Sequence, residues 1–423
     1  MRACGHSSPT IYFASRYGGT GVGRARNPNR WMGSPPGIRP ASHAGWVPRR
    51  RDLPGYAPAV VTVGRALAGI GGASVVVWVV LSAIRTVILP RADPVLLSRW
   101  VFVVTRALFD LRTGRVKSYE RRDRIMSYYA PIALMLLPGA WIALVIAGFT
   151  GIFWALGVDP VVKAFELSGS SMLTLGFVGP EDVPTYVATF VQASLGLGLI
   201  ALLISYLPSI YGAFQRRELA VAKLAARAGD PPSAIEMIEL HHQLARFDAL
   251  DDLWQEWEEW FADLEETHTS QPSLVFFRSI THERSWVIAA GVILDAAALR
   301  SSVLDLPRNP RAELCIRAGY LSLRRIADFF QIDFDAEPAP DDPISIDRSE
   351  FDAACDRLAE AGVGLRPDRD QCWRDFAGWR VNYDTPLRAL AGLAMAPEAL
   401  WSSDRALPYR RPPLGRRRGP NRA

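Results

Sequence analysis

Two long apolar segments without a charged side chain constrain the fold of this chain more than any other feature. They cover residues 127–158 and 183–214 of a 423-residue sequence. Each exceeds the roughly 20 residues that a helix needs to cross a bilayer. Inside a hydrocarbon layer a segment must satisfy its own backbone hydrogen bonds, and an α-helix does so. Both segments are therefore predicted to be transmembrane helices.

A third apolar segment lies earlier, within residues 57–90. Its charge-free part, residues 66–84, is 19 residues long. At about 1.5 Å per residue, such a helix nearly spans a hydrocarbon core of about 30 Å. Arg85 follows, and its side chain can reach the membrane surface while its stem stays in the apolar layer. We therefore expect an all-α membrane protein with three transmembrane helices.

The remaining regions of the chain differ in their balance of basic and acidic residues. The first 55 residues contain nine arginines and one acid, whereas residues 213–400 contain roughly thirty acids against twenty Lys and Arg. Such segregation indicates distinct regions rather than one mixed surface. The expected organisation is a disordered basic tail (1–56), a first transmembrane helix (57–90), a basic linker (91–126), a two-span module (127–214), an acidic helical domain (215–400) and a second disordered basic tail (401–423).

The positions of basic residues predict how the spans are oriented. The linker holds nine Lys and Arg, and Arg216, Arg217 and Lys223 follow the last span. Because short basic segments beside spans stay in the cytoplasm, residues 159–182 between the two uncharged spans should face outward. The C-terminal domain should then be cytoplasmic. The basic N-terminal tail argues against an outside N-terminus, which leaves the orientation of the first span open.

Helical periodicity predicts the structure of the linker and the acidic domain. The linker stretch LLSRWVFVVTRALFDL is typical of an amphipathic helix lying at the membrane surface. Residues 285–304 are largely apolar, but Asp295 and Arg300 interrupt them, so a buried core helix is favoured over a fourth span. Further helices are expected at residues 231–268, 312–330, 348–361 and 368–390.

The tryptophans and histidines of this domain could be interpreted as a ligand-binding site or a metal site. Trp254, Trp257 and Trp260 recur every three residues, which is typical of a helix–helix packing stripe rather than a ligand cage. Side chains of the adjacent His241 and His242 diverge by about 100° on a helix, so they do not share a metal ion. We expect both histidines at the surface and no metal site.

The segment between the two uncharged spans contains SSMLTLGFVGPED, from Ser170 to Asp182. The preceding VVKAFELSGSSML is amphipathic and predicts a short helix. The following TLGFVGPED contains two glycines and a proline, which end a helix. Backbone that is not helical is tolerated at membrane depth only where protein or water surrounds it. A half-helix followed by such a turn predicts a re-entrant loop.

This order of elements resembles the pore module of tetrameric potassium channels: outer span, short helix, Thr-x-Gly-aromatic, acid, inner span. The resemblance covers about residues 128–217 and no other region. It implies that four copies of the chain surround a shared path, where backbone carbonyls replace the hydration shell of a permeant K⁺ or another monovalent cation. The residues that it implies are an ion filter (Thr174, Leu175, Gly176, Phe177, Val178, Gly179), an acidic outer mouth (Glu181, Asp182) and a gating hinge (Gly196, Gly198).

The chain departs from the family pattern at two positions. The family's filter is Thr-Val-Gly-Tyr-Gly followed by Asp, whereas this chain has Val178 at the fifth position and Pro180 in place of the aspartate. A β-branched residue is a poor fit for a positive φ. Either Gly179 takes over the role of the outer glycine, or the outermost ion site is distorted.

The resemblance implies a homotetrameric cation channel of the plasma membrane, embedded in lipid and passive in its transport. It implies no enzymatic activity, no cofactor and no nucleic-acid partner, and it leaves open a cytoplasmic partner for the helical domain. The alternative is a non-conducting membrane sensor or scaffold, with a relict pore-like fold and a helical interaction domain. The sequence contains no phosphate-binding glycine loop after a strand, which separates its C-terminal domain from dinucleotide-binding regulators.

Overall fold

The computed structural model describes residues 57–87, 96–114, 116 and 118–409. Within these residues the regular elements are all helical, as predicted. The predicted N-terminal tail lies outside the described residues. The α-helices are α1 (Ala57–Val87), α2 (Leu96–Thr113), α3 (Tyr119–Ser127), α4 (Tyr129–Ala155), α5 (Val161–Met172), α6 (Val183–Ala228), α7 (Ala234–Gln243), α8 (Ala249–Ser270), α9 (Trp286–Ser302), α10 (Pro310–Phe329), α11 (Arg348–Glu360), α12 (Arg369–Arg380) and α13 (Asp384–Ala394). Two 3₁₀ turns cover Pro272–Phe276 and Ser403–Arg405.

Three helical segments are long and apolar enough to cross a membrane. They are Val60–Val87, Tyr119–Ala155 and Val183–Ala228. The prediction of an all-helical chain with three helices able to span a membrane is therefore confirmed, and these helices support a membrane protein. The last of them, α6, runs well past the predicted limit at residue 214. Its 46 residues give a length of about 69 Å at 1.5 Å per residue. A single helix thus begins in the apolar region and ends in the C-terminal domain.

Helices α1 and α4 pack antiparallel through small residues. A Cβ atom added at Gly72 would lie 2.2 Å from the Gly148 carbonyl oxygen, and one at Gly151 would lie 2.6 Å from that of Ala68. Only residues without a large side chain allow helices to approach so closely, as is common between membrane helices. Because the two helices run in opposite directions, α1 begins at the end of α4 that leads into α5.

The C-terminal domain is built around α9, which is buried along most of its length. Its Asp295 carboxylate accepts hydrogen bonds from Arg380 Nη1 at 2.6 and 2.8 Å and from the Tyr383 hydroxyl at 2.8 Å. The prediction that residues 285–304 form a buried core helix is confirmed. The charge that interrupts the apolar segment is accommodated because it is paired inside the domain.

The packing of α8 confirms the predicted tryptophan stripe, since Trp254, Trp257 and Trp260 are all buried. Two predicted helices are each divided in the structure. The expected helix at 231–268 is α7 followed by α8, with a break where Ala245 has a φ of 51°. The expected helix at 368–390 is α12 followed by α13. Apolar residues recur at helical spacing across both breaks, so the sequence pattern does not predict where the helices divide.

Two further expectations are corrected. His241 was expected at the surface, but it is buried and its Nδ1 lies 2.7 Å from the Met237 carbonyl oxygen. The second disordered tail was expected from residue 401, but residues 401–409 are packed on the domain. Arg405 Nη2 lies 2.7 Å from Glu350 Oε1, and the Leu407 amide donates to the Arg388 carbonyl at 3.1 Å. These contacts extend the domain to Tyr409.

Candidate functional site

Serine side chains fasten α5 between α4 and α6. Ser168 Oγ donates to the Ile146 carbonyl of α4 at 2.9 Å, and Ser171 Oγ donates to the Thr189 carbonyl of α6 at 3.1 Å. Both serines are buried. A buried hydrogen bond contributes about 1 kcal/mol net, and leaving its groups unpaired costs about 1–3 kcal/mol. The position of α5 is therefore set by specific polar contacts as well as by apolar packing.

An amide from the neighbouring helix strengthens this arrangement. Gln192 of α6 is fully buried, and its Nε2 donates to the Ser168 carbonyl at 3.0 Å and to Ser168 Oγ at 2.7 Å. A buried amide in an apolar segment is costly unless it is hydrogen-bonded. Ser168 and Gln192 therefore fix the rotation of α5 against α6.

The loop after α5 folds back onto the end of that helix. The Leu175 amide donates to the Ser170 carbonyl at 2.8 Å. Ser170 Oγ also lies 3.3 Å from both the amide nitrogen and the carbonyl oxygen of Val178. One buried serine thus holds the beginning and the end of the predicted filter segment. The Val178 carbonyl faces α5 in a single copy of the chain.

Two residues of the loop have left-handed backbone conformations. Thr174 has a φ of 55° and Gly176 has a φ of 72°. Glycine adopts this region at little cost, whereas a β-branched threonine is strained there. Among the described residues, Val178 and Gly179 are not among those with a positive φ. The glycine at position 176 is therefore explained by its conformation, and the one at 179 is not.

The outer surface of the loop is apolar and exposed in a single chain. Leu173, Leu175 and Phe177 are 47%, 60% and 65% exposed. Large apolar side chains that protrude side by side from a loop mark a surface that meets another protein or lipid. The loop therefore presents an apolar surface that lipid or another protein could cover.

The two acids after the loop have local partners. Glu181 Oε1 lies 2.6 Å from Lys163 Nζ of α5. Asp182 is the N-cap of α6, and its Oδ1 accepts from the Thr185 amide at 2.9 Å. The Thr185 hydroxyl also donates to Asp182 Oδ1, and the hydrogen bonds from this hydroxyl and from the Thr185 amide lower the pKa of the Asp182 carboxyl. Both side chains are exposed, so they contribute negative charge at the surface beside the loop.

The two glycines predicted as a hinge have different surroundings. A Cβ atom at Gly196 would lie 2.7 Å from the Met172 carbonyl oxygen, so the end of α5 rests directly on this position of α6. At Gly198 nothing described lies within 4 Å of such an atom. Gly196 is therefore required for packing, while the hinge role of either glycine stays a prediction.

A buried arginine connects α6 to the C-terminal domain. Arg217 donates to the Leu274 carbonyl at 2.7 Å and to the Phe277 carbonyl at 2.8 Å. Its Nη1 also lies 3.2 Å from His268 Nε2. Burial, followed by the nearby Arg217 charge, holds the pKa of His268 well below its usual value. The helix that starts at the loop is thus fastened to the domain at its other end.

The predicted filter and mouth residues form the segment between α5 and α6, Gly196 lies against Met172 at the end of α5, and Gly198 lies further along α6. The serines of α5 and Gln192 were not predicted as part of the site. A signal for them exists in the sequence, since hydroxyl and amide groups in apolar segments need buried partners.

No protein-family model, curated protein or solved structure matches this chain. Among the described residues, no group of three or more His, Cys, Asp or Glu side chains is arranged to hold a metal ion.

Proposed function

We propose that the chain forms a cation-conducting pore in which residues 174–179 of four copies surround a shared ion path. The observation that carries this proposal is the fastening of a non-helical loop between two span-capable helices. Ser168, Ser171 and Gln192 hold α5 in place, and Ser170 holds the loop against it. The element has the order of parts expected of a re-entrant pore loop.

Elementary chemistry supports a cation as the transported species. Non-helical backbone near a membrane needs protein, water or ions as partners for its polar groups. Rings of backbone carbonyls replace the hydration shell of alkali cations, and K⁺ is favoured by the filter resemblance. Glu181 and Asp182, repeated around an axis, would raise the local cation concentration. The exposed apolar residues Leu175 and Phe177 are consistent with a loop whose partners are other copies of the chain.

The proposed arrangement places the loop on the outer face of the plasma membrane. The basic linker and the C-terminal domain would lie in the cytoplasm, in accord with the positive-inside rule. In this arrangement α1 begins outside, since its N-terminal half packs beside the end of α4 that leads into α5. Transport would be passive, without enzymatic activity, a cofactor or a nucleic-acid partner.

A second candidate is a non-conducting membrane sensor or scaffold. It is favoured by one observation, the contact between the Val178 carbonyl and Ser170 Oγ. A carbonyl that faces its own helix does not face an ion. In this reading the loop is a closed structural turn, and the C-terminal domain carries the activity.

Ion flux from potassium-loaded liposomes separates the two candidates. The purified chain should release K⁺ down its gradient, and Gly176→Ala should abolish the release. Alanine at the left-handed φ of 72° costs about 1 kcal/mol in each copy and displaces neighbouring carbonyls. Gly139→Ala is the matched control, because Gly139 is exposed on α4 and open space surrounds it.

The oligomeric state of each variant should be measured by native mass spectrometry. Tetramers of wild-type protein that release no K⁺ would favour the scaffold. Equal release from wild-type and Gly176→Ala tetramers would exclude this loop as the ion path.

A further inference from the structure

A cavity of about 970 Å³ lies where the spans meet the C-terminal domain. Its walls come from the end of α1, from α2, from the start of α4, from α6 and from several segments of the C-terminal domain. This volume is at the upper end of the range of about 300–1,000 Å³ that is typical of ligand sites. The filter loop contributes nothing to its lining, so the cavity is distinct from the candidate ion path.

The charged lining of this cavity is predominantly basic. Arg85, Arg99, Arg106 and Arg122 line it, with Asp110 as the acid among the lining residues. Arg106 is held by Asp110 at 3.2 Å and by the Tyr129 and Phe276 rings. Within residues 57–87, 96–114, 116 and 118–409, no carboxylate lies within 4.0 Å of the guanidinium groups of Arg85 or Arg99. A bound anion would supply a negative charge to pair with these two arginines.

One part of the remaining lining is apolar and is suited to a hydrocarbon chain, while hydroxyl side chains such as Thr86, Ser98 and Ser273 line other parts. Leu134 and Leu137 of α4 and Val103 of α2 contribute apolar walls. Phe329 and Phe330 close the side of the C-terminal domain. A ligand that fills this space has an anionic end and an apolar body.

The depth of the cavity points to the membrane as the source of that ligand. Tyr206, which lines it, is 23 residues beyond the start of α6 at Val183. At 1.5 Å per residue this is about 35 Å, close to one hydrocarbon thickness of about 30 Å. The cavity therefore lies at the level of lipid headgroups, at the membrane surface that faces the C-terminal domain.

We infer that this cavity binds an anionic phospholipid. Its phosphate lies between Arg85 and Arg99, and its acyl chain follows the wall formed by Leu134, Leu137 and Val103. Basic pockets between membrane helices are suited to anionic headgroups. A bound lipid would connect α1, α2 and α4 to the C-terminal domain, whose Met395 Sδ already accepts from Arg106 Nη2 at 2.9 Å.

Native mass spectrometry of the full-length protein in detergent tests this inference, with phosphatidylglycerol as the anionic probe. The double variant Arg85→Gln/Arg99→Gln should raise the apparent Kd for phosphatidylglycerol about thirtyfold. Arg112→Gln/Arg121→Gln makes the same change of net charge at exposed residues that do not line the cavity. This matched control should leave the Kd within about twofold of the wild-type value.

Val103→Trp provides a second variant, since it fills the cavity and keeps every arginine. It should weaken phosphatidylglycerol binding without shifting the unfolding midpoint. Phosphatidylcholine and free glycerol phosphate should both bind much more weakly than phosphatidylglycerol.

Three results would overturn the inference. If phosphatidylcholine binds as tightly as phosphatidylglycerol, the cavity does not select an anionic headgroup. Glycerol phosphate that binds as tightly would indicate a soluble anion instead of a lipid. Equal losses in the two arginine double variants, or no loss in either, would show that the cavity does not hold the headgroup.

Discussion

The filter loop and the C-terminal domain satisfy their polar and apolar groups in different ways. In the domain, Asp295 and Arg380 are buried and paired, and the tryptophans of α8 pack inside the same chain. In the loop, Leu175 and Phe177 protrude from the surface, although buried serines hold the backbone behind them. One copy of the chain thus completes the domain and leaves the loop incomplete. The proposed contact with other copies of the chain would therefore involve the loop.

The largest expected effect comes from breaking the buried pair in the domain. Asp295→Ala leaves the buried Arg380 with Asp384, 2.9 Å from its Nε, as the remaining carboxylate partner, and should destabilise the protein by about 3 kcal/mol. Thermal unfolding of the full-length protein in detergent measures this effect. Arg311→Gln is the control, because its pair with Asp252 is exposed at both side chains and should be worth at most about 1 kcal/mol. Similar losses of unfolding free energy in the two variants would show that the buried pair stabilises the protein no more than the exposed pair does.

The contact between α6 and the domain should make stability depend on pH. His268, which faces Arg217, Thr267 and Trp286, has its pKa held below the usual 6.5. The unfolded chain therefore binds a proton near pH 6.5 that the folded chain does not bind. Stability is complete above this pH and is lost as the pH falls below it, with a slope of at most about 1.4 kcal/mol per pH unit.

The variant His268→Gln should remove this slope, as measured by chemical unfolding between pH 5 and pH 8. His282→Gln, at an exposed histidine of the same domain, is the matched control and should leave the slope in place. An unchanged slope in His268→Gln would show that this buried histidine does not carry the pH dependence.

Two glycines of α6 near the loop should respond differently to the same substitution. Gly196→Ala should push α5 away from α6, since its Cβ would lie 2.7 Å from the Met172 carbonyl oxygen, and overpacking costs about 1–3 kcal/mol. Gly198→Ala meets open space and should stabilise the helix by up to about 1 kcal/mol. Unfolding midpoints of both variants test this difference. If Gly196→Ala is as stable as Gly198→Ala, the end of α5 does not rest on Gly196.

The sequence predicted the spans because charge-free segments have few structural alternatives. It did not predict the full length of α6, because the charge at Arg216 ends the apolar segment but not the helix. Residues 215–228 are rich in good helix formers, and the helix ends where Gly229 adopts a φ of 84°.

The filter segment was predicted from its order of residue types, and the serine contacts behind it were not. The partners of Ser168 and Ser170 lie on α4, on α6 and at Val178, so they depend on how three elements meet. The cavity likewise depends on segments far apart in the sequence. The residues themselves predicted local helices and charges, whereas these long-range contacts follow from packing.

The proposal that the loop lines an ion path can be tested by measuring K⁺ current through chemically modified protein. Glu181→Cys is made in a Cys4→Ser background, where the remaining cysteines Cys315, Cys355 and Cys372 are buried. The substitution removes a negative charge beside the loop, and a cationic thiol reagent then adds a positive charge at the same position. Val162→Cys, exposed on the first turn of α5, is the labelling control.

If the loop lines the ion path, reagent added on the loop side should lower the K⁺ current of Glu181→Cys in a planar bilayer, because positive charge at the mouth repels cations. Labelled Val162→Cys should keep most of its current. Complete labelling of Glu181→Cys with an unchanged K⁺ current would contradict the claim that this loop forms the ion path.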